Sequence, residues 1–224
     1  LLALRQDHAA ALDAVHAELD LERDLGRGFV ADWSLTEGAT RARDKAEYLM
    51  RPDLGRLLDE VGRAELARSC PPAADLQVAI GDGLSALAVV AQAPALLPLL
   101  ADEVRRRGWS FGRPFFVRRC RVGVLNDLGD LLRPKVLVLL IGERPGLATA
   151  ESLSAYMAWR PHAGQTDADR NLISNIHARG VSAADAARRI AGLAAQMMVA
   201  EASGVAIKEE LPATTQLPDS AGDG

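Results

Sequence analysis

The stretch Leu76–Val90, LQVAIGDGLSALAVV, decides the fold because the hydrophobic period changes within it. It begins with an apolar run, Leu76–Ile80, that is typical of a buried β-strand. Gly81-Asp82-Gly83 then predicts a tight turn, and Leu84–Gln92 predicts a helix with Ser85 near its start. A strand, a glycine turn and a helix in this order begin a β-α-β unit, so the stretch predicts an α/β protein.

The same alternation of strands and helices continues toward the C-terminus. Further strands are predicted at Pro114–Arg118, at Lys135–Ile141 and, from a weaker pattern, at Ser154–Trp159. Helices are predicted for a segment that Pro94 and Pro98 flank and that runs to Arg107, for Asn126–Leu132, and from a Ser182 cap through Ala202. The predicted fold class is therefore α/β, with an open Rossmann-like sheet and flanking helices.

A small N-terminal helical region is predicted to precede this sheet. Its helices are expected at Leu1–Leu25, Ala39–Leu49 and Leu54–Arg68, with a break at Gly26–Glu37, and Pro71-Pro72 ends the region. We therefore expect residues 1–70 to form the helical region, 71–208 the α/β domain and 209–224 a flexible tail. Because the chain starts with Leu1 rather than Met, we also expect the native start to be missing.

Composition argues against several classes of protein. The 224 residues are 49% hydrophobic, which is enough for one sizeable core and argues against disorder. A net charge of -4 gives no basic surface for nucleic acid, and the apolar runs are too short or too broken to span a membrane. Cys70 and Cys120, the two cysteines, have no metal-binding spacing and form no disulfide framework, so a reducing, cytoplasmic location is expected.

Two glycine-rich loops follow predicted strands, at the ends where open α/β sheets bind ligands. Gly81-Asp82-Gly83 lacks the spacing of a nucleotide-binding motif and Asp82 would repel phosphate, so we favour a turn with a helix cap over a phosphate cradle. In Gly142-Glu143-Arg144-Pro145-Gly146, the proline restricts Arg144 and the last glycine permits a sharp exit. This loop is either stiffened by an ion pair of Arg144 with Glu143 or Glu151, or it is a binding edge.

Asp167–His177 is predicted to be a polar loop, and the polar residues in it give weaker functional signals. Asp167 and Asp169, beside Arg170, are spaced for acid–base work, although aspartates that cap loops are commoner. The segment Asn175–Gly180 imitates the D-x-H-x-x-G loop with which some cobalamin domains supply a histidine to cobalt. Asn175 replaces the aspartate that would polarise the imidazole, so His177 is not expected to be a metal ligand. His8 and His16 lie on a predicted amphipathic helix and are expected to be solvated.

Five segments, taken together and in order, resemble the small (light) subunit of ethanolamine ammonia-lyase. The GERPGL loop followed by SLSAY, and DRNLISNIH nearer the end, are the most specific of these motifs. The segments cover most of Tyr48–Gly204, whereas the N-terminus matches only weakly. They are YLMRPDLGRLL (Tyr48–Leu58), VAIGDGLSALAV (Val78–Val89), GRPFFVRRCRVGVLNDLGDLL (Gly112–Leu132), LLIGERPGLATAESLSAY (Leu139–Tyr156) and DADRNLISNIHARG (Asp167–Gly180).

The resemblance implies an adenosylcobalamin-dependent lyase that converts ethanolamine to acetaldehyde and ammonia by radical chemistry. It implies that the catalytic residues lie on a large barrel subunit, and that this chain closes the cobalamin site at the interface of a hetero-oligomer. We therefore expect no catalytic residue and no metal ligand in this chain. Three cofactor contacts carry over by position: Val122, Glu143 and Leu172, the last standing where some family members have cysteine. The resemblance leaves open whether the complex is enclosed in a bacterial microcompartment.

Two other functions stay open on the residues alone. The chain could be a stand-alone α/β enzyme for a small molecule, with Asp167, Asp169 and Glu143 as acid–base groups. It could also be a scaffold subunit whose loops pack against a partner without touching a cofactor. If the chain instead acts as the family resemblance implies, the Glu143 carboxylate is expected to accept hydrogen bonds from the amide side chains of a corrin rim.

Overall fold

Six strands form one open sheet at the centre of the described chain, which comprises residues 18–144 and 149–209 of a computed structural model. Their order across the sheet is β1-β3-β2-β4-β5-β6. The first four strands are mutually parallel, and β5 and β6 are added antiparallel at one edge. The strands are β1 (Thr36–Ala39), β2 (Leu76–Gly81), β3 (Phe115–Arg118), β4 (Val136–Gly142), β5 (Leu153–Trp159) and β6 (Asn171–Ile176).

Six α-helices flank this sheet in the described residues. They are α1 (Arg27–Asp32), α2 (Lys45–Met50), α3 (Glu60–Ser69), α4 (Ala86–Arg106), α5 (Val124–Leu132) and α6 (Ala183–Ala200). A π-helical turn at Leu21–Leu25 and 3-10 turns at Leu54–Arg56, Asp167–Asp169 and Gly204–Ala206 complete the regular structure of that part of the chain. The predicted α/β class, an open sheet with flanking helices, is confirmed.

Alternate residues of the central strands point to opposite faces, and each face buries its own core. On one face α4 and α6 cover the sheet, where Val78, Ile80 and Leu140 are fully buried. On the other face α3 and α5 pack against Ala79, Leu137 and Leu139. Burial on both faces explains why β2 and β4 read as continuous apolar runs rather than as alternating patterns.

Helix α4 corrects the prediction that the prolines separate two helices. Pro94 and Pro98 lie inside one helix of 21 residues. Each proline removes one backbone donor, but the helix between and after them keeps its buried side chains, including Leu96, Leu97 and Leu100. Burial of an aliphatic side chain contributes about 2 kcal/mol, so several of them offset the cost of an interior proline. This helix is long and apolar enough to pass a test for a membrane span, but just over half of its apolar window is buried against the rest of the fold.

The N-terminal region contributes a strand, which the sequence analysis missed. β1 pairs in parallel with β3 at the far edge of the sheet, within a stretch that was predicted to be a break followed by a helix. Helix α2 therefore begins only at Lys45, where the Asp44 carboxylate accepts a hydrogen bond from Glu47 N at 2.8 Å. Asp59 caps α3 in the same way, which moves the start of that helix from Leu54 to Glu60.

Strand β6 was predicted as a polar loop, and that prediction is wrong. Ile173 and Ile176 are fully buried, whereas Leu172, Ser174 and Asn175 are exposed. The two isoleucines can face the same side although they are three positions apart, because the pairing of β5 with β6 shifts register between them. The apolar signal is carried by two isoleucines, too few to distinguish a strand from a loop by periodicity. Pairing with β5 decides the conformation instead.

Several predictions fall outside the described residues. They are the helix predicted over most of Leu1–Leu25 with His8 and His16, the conformations of Pro145 and Gly146, and the flexible tail beyond residue 209. The division of the chain at residues 70 and 208 stays a prediction, although β1 joins the predicted N-terminal region to the same sheet.

Candidate functional site

The order of strands reverses between β2 and β4, because the next strand after β2 lies on one side of it and the strand after that lies on the other. From β2 the chain crosses through α4 to β3 on one side, and then through α5 to β4 on the other. In open α/β sheets the carboxyl ends of two such strands border the usual ligand crevice. Here the two glycine-containing loops fill part of that crevice, since Leu84 N donates to Gly142 O at 3.1 Å. A Cβ atom on Gly142 would lie 2.0 Å from Ser85 O, so only glycine allows this approach.

The Gly81-Asp82-Gly83 segment is a turn followed by a capped helix, as predicted. The Ser85 hydroxyl accepts from Ala88 N at 3.3 Å and donates to Ala150 O at 2.6 Å. Ser85 therefore caps α4 and also fastens the start of that helix to the far end of the loop between β4 and β5.

A buried charge pair supports the same turn from below. Lys45 Nζ donates to Gly83 O at 2.9 Å and lies 3.9 Å from the Asp82 carboxylate. The two side chains are 8% and 9% exposed. Burial raises the pKa of Asp82, and the Lys45 ammonium opposes that change. Burial likewise lowers the pKa of Lys45. This pair holds the N-terminal region against the ends of the central strands.

The Glu143 carboxylate lies at the end of β4 and is held by its own chain. Ser152 Oγ donates to Oε2 at 2.7 Å, Asn175 N donates to Oε1 at 3.2 Å, and Ser154 Oγ also donates to Oε1. Burial by itself would raise the pKa of Glu143, but these hydrogen bonds outweigh it and the pKa is lowered. The carboxylate thus stays ionised and joins the ends of β4, β5 and β6.

The ion pairs proposed for Arg144 are replaced by this arrangement. No ion pair of Glu143 or Arg144 occurs among the described residues, and Arg144 is exposed. A carboxylate has about four acceptor positions, of which three are occupied here. One position, on Oε2, is left for a further donor.

An uncovered part of the sheet lies beside Glu143. On β5 and β6, the face opposite α4 and α6 carries Ser154, Tyr156, Leu172 and Ser174. Leu172 is 46% exposed and pairs with Tyr156, which is itself half-buried against the α5 side of the core. In the described part of the chain no helix covers Leu172 or Ser174 on this side. We call this surface the open face.

Val122 precedes α5 and lies on the same side of the sheet as the open face, because it packs against the core beneath α5. It lines a cleft of about 710 Å³ between the start of α5 and the loop before β6. Asn126, Gln165 and Arg170 line the same cleft. Glu143 and Leu172 do not line it, so the structure puts the three predicted contact residues around one side of the sheet but not in one pocket.

The remaining candidates have local roles. Thr166 N donates to Asp169 Oδ2 at 2.7 Å in a capping box, and the Asp167 side chain, 91% exposed, pairs with Arg170. His177 Nε2 lies 2.6 Å from Asn175 Oδ1, and His177 Nδ1 accepts from Arg179 N at 3.2 Å, so both ring nitrogens have partners within the loop. No group of three potential metal-ligating side chains occurs in the described ranges.

Sequence reasoning missed the hydroxyls that hold Glu143 and the lysine that holds Asp82. Ser152 and Ser154 stand two apart, at the start of a strand, and this spacing puts them on one side. That signal was available but says nothing of the carboxylate they meet. Lys45 offered no local signal, because Gly83 lies 38 positions away.

Comparison with known proteins agrees with the segments that carried the resemblance. The family model for the ethanolamine ammonia-lyase light chain (EutC) matches residues 1–208. The ethanolamine ammonia-lyase small subunit of Bradyrhizobium diazoefficiens is 44% identical over 214 residues, which cover 94% of this chain and 81% of that one. The small subunit of Fusobacterium nucleatum is 41% identical over 208 residues, covering 93% and 68%. The chain belongs to the ethanolamine ammonia-lyase light-chain family.

Proposed function

We propose that this chain is the cofactor-closing subunit of an ethanolamine ammonia-lyase, bound to a large subunit that carries the catalytic residues. Adenosylcobalamin, when bound, supplies the radical chemistry that converts ethanolamine to acetaldehyde and ammonia. The role of this chain is to cover one side of the cofactor at the subunit interface. The observation that carries the proposal is the open face, a sheet surface with both polar and apolar side chains that ends at the carboxylate of Glu143.

The chemistry of the open face fits the rim of a corrin. That rim carries amide side chains, which need acceptors as well as donors. Glu143 offers an ionised acceptor with one free position, and Ser174 offers an exposed hydroxyl. Leu172 and Tyr156 offer apolar surface beside them for the edge of the ring. Because hydrogen bonds from Ser152 and Ser154 already fix the carboxylate, little further ordering is needed on binding.

The leucine at position 172 means that the proposed cofactor contact here does not need a cysteine. Its exposed side chain points away from the buried Ile173 on an edge strand. A leucine offers apolar contact and no thiol, so the contact that we propose here depends on surface rather than on sulfur chemistry. Val122 offers apolar contact in the same way in the separate cleft on this side of the sheet, where the chain enters α5.

The complex is proposed to be a cytoplasmic hetero-oligomer that binds neither nucleic acid nor a membrane. Cys70 and Cys120 are buried free thiols, and burial raises the pKa of both, which favours unreactive thiols in a reducing compartment. Enclosure in a bacterial microcompartment is a separate question, which co-fractionation with shell proteins would answer.

The test uses the full chain co-purified with its large subunit. Glu143→Gln removes the charge but keeps the shape, and it should weaken cobalamin binding by roughly tenfold in an absorbance titration, as expected for loss of one charge-assisted hydrogen bond. Glu151→Gln is the matched control, because Glu151 is an exposed glutamate in the same loop. Equal affinity of Glu143→Gln and the control would exclude Glu143 from the cofactor site.

A scaffold function predicts a different result from the same titration. In that case Glu143→Gln and Leu172→Ser would leave cobalamin affinity unchanged and would weaken only the association of the two subunits. A stand-alone enzyme would convert substrate without cobalamin and without the large subunit. The partners found for Asp167 and Asp169 do not favour that alternative, since both carboxylates serve the turn before β6.

A further inference from the structure

In the described part of the protein, two arginine N–H donors in the cleft beside Val122 have no hydrogen-bond acceptor. Arg170 lines it with a side chain only 5% exposed, and its Nε has no hydrogen-bond partner. Arg121 Nε is also buried without a partner. Native proteins rarely bury a polar group unsatisfied, so these two donors call for an acceptor in the cleft, such as an ordered water or a bound anion.

Neutral groups hold Arg121 in place, whereas Arg170 contacts both a neutral amide and the Asp167 carboxylate. Arg121 Nη2 donates to Tyr48 O at 3.1 Å and stacks over the Tyr48 ring at 4.1 Å. Arg170 Nη2 donates to Asn126 Oδ1 at 3.0 Å. Arg56 packs its stem against Gly123 and is exposed at its end. Among the described residues, neither Arg56 nor Arg121 has an ion-pair partner.

Four carboxylates also line the cleft, but each is engaged elsewhere or already paired. They are Asp53 with Arg51 at 2.7 Å, Asp127 with Leu58 N at 2.7 Å and with Arg63, Asp130 with Ala163 N at 3.1 Å, and Asp167 with Arg170. Arg56 and Arg170 also repel each other, and this repulsion lowers the pKa of Arg170 in addition to the larger effect of burial. An anion placed between Arg56 and Arg170 would offset both their mutual repulsion and the burial of the Arg170 charge.

We propose that this cleft binds a phosphate-class anion through Arg56, Arg121 and Arg170, at the N-terminus of α5, where backbone N–H groups also favour negative charge. Two sources have this chemistry: the phosphodiester in the nucleotide tail of a cobalamin, and free inorganic phosphate. The first source rests on the proposed function and places the tail beside Val122. The second does not depend on it.

The experiment compares cyanocobalamin with dicyanocobinamide, which lacks the phosphodiester and nucleotide, on the complex with the large subunit. Arg56→Gln is the test variant, because Arg56 is exposed, forms no ion pair in the described structure, and can be replaced without opening the core. Arg56→Gln should reduce the affinity for cyanocobalamin by roughly tenfold, as for loss of one hydrogen bond to a charged group. The affinity for dicyanocobinamide should stay within about twofold of the wild-type value. Arg170→Met should do the same wherever it folds.

The matched control is Arg188→Gln, an exposed arginine on α6 that pairs with Asp185 on the opposite side of the sheet. It should change neither affinity. A parallel calorimetric titration with inorganic phosphate, on wild type, Arg56→Gln and Arg188→Gln, separates the two sources. The cleft is assigned to free phosphate if two results are found together. Wild type and Arg188→Gln bind inorganic phosphate saturably while Arg56→Gln does not, and Arg56→Gln does not change the preference between the two corrinoids.

The remaining outcomes are decisive. If no variant or wild type binds either corrinoid, the proposed function fails, and the phosphate titration alone decides whether the cleft is an anion site. If Arg56→Gln affects both corrinoids equally or not at all, and phosphate binding is absent or the same in all three proteins, the proposal is overturned.

Discussion

The buried pair of Lys45 and Asp82 gives the sharpest test of the structural reasoning. Lys45→Met keeps the length of the stem and removes the charge and the donor. The Asp82 side chain, 9% exposed, then keeps backbone hydrogen bonds, among them those from Gly83 N at 2.8 Å and Cys120 N at 3.4 Å, but has no cation beside it. Removing one partner of a buried pair typically costs about 3–5 kcal/mol.

The cost has an upper bound because Asp82 can take up a proton instead of staying charged. Protonating a carboxyl whose ordinary pKa is about 3.9 costs about 4 kcal/mol at pH 7. The lost hydrogen bond from Lys45 to Gly83 O adds about 1 kcal/mol. We therefore expect Lys45→Met to reduce the free energy of unfolding at pH 7 by about 4–5 kcal/mol.

The same reasoning fixes the pH dependence. In the variant, burial raises the pKa of Asp82 and the Lys45 charge no longer opposes that rise, so the folded state binds a proton that the unfolded state has released. Stability of such a state increases as the pH falls toward the ordinary pKa of the carboxyl. The deficit relative to wild type should therefore shrink as the pH falls from 7 to 5, by at most about 1.4 kcal/mol for each pH unit.

The assay is urea unfolding of the full chain, followed by circular dichroism at pH 7, 6 and 5. The double variant Lys45→Met/Asp82→Asn is the control, since it removes both charges and should recover most of the loss at pH 7. A Lys45→Met protein with wild-type stability, or with a deficit that is the same at all three pH values, would refute the assignment of a charged, buried pair.

Two further predictions concern the crevice and the open face. Gly142→Ala should reduce the free energy of unfolding in urea by about 3 kcal/mol or more, because its Cβ would meet Ser85 O at 2.0 Å. Gly192→Ala in helix α6, where a Cβ would have nothing within 4 Å, should instead stabilise the protein by about 1 kcal/mol. Equal effects of the two substitutions would contradict the close packing of the crevice. Ser154→Ala should cost about 1 kcal/mol at pH 7 after allowance for solvent screening, and Ser174→Ala on the same face should cost less. Folding lowers the pKa of Glu143, so its contribution to stability is present above the ordinary carboxyl pKa and is lost as the pH falls through the lowered value. The Ser154→Ala deficit should therefore decrease as the pH falls below the ordinary carboxyl pKa, and a deficit that does not change with pH would mean that the serine acts through packing alone.

The sequence by itself determined the central layer of this protein. The apolar runs of β2 and β4 and the cap at Ser182 are local patterns, and each was found within a residue or two of its observed position. The family followed from motifs that are also local. Strands β1 and β6 could not be read in this way. β1 is short, β6 has buried isoleucines at a spacing of three rather than two, and both depend on a neighbouring strand for their conformation.

The site shows the same division. The sequence singled out Glu143 and its loop, but only the tertiary structure decided that two serines and Asn175 N hold the carboxylate, the last from 32 positions away. It also decided that Lys45 meets Gly83 and that β5 and β6 leave one face uncovered. The physical reason is that hydrogen bonds and burial depend on distance in space, whereas the patterns in a sequence report only the contacts that neighbouring residues make.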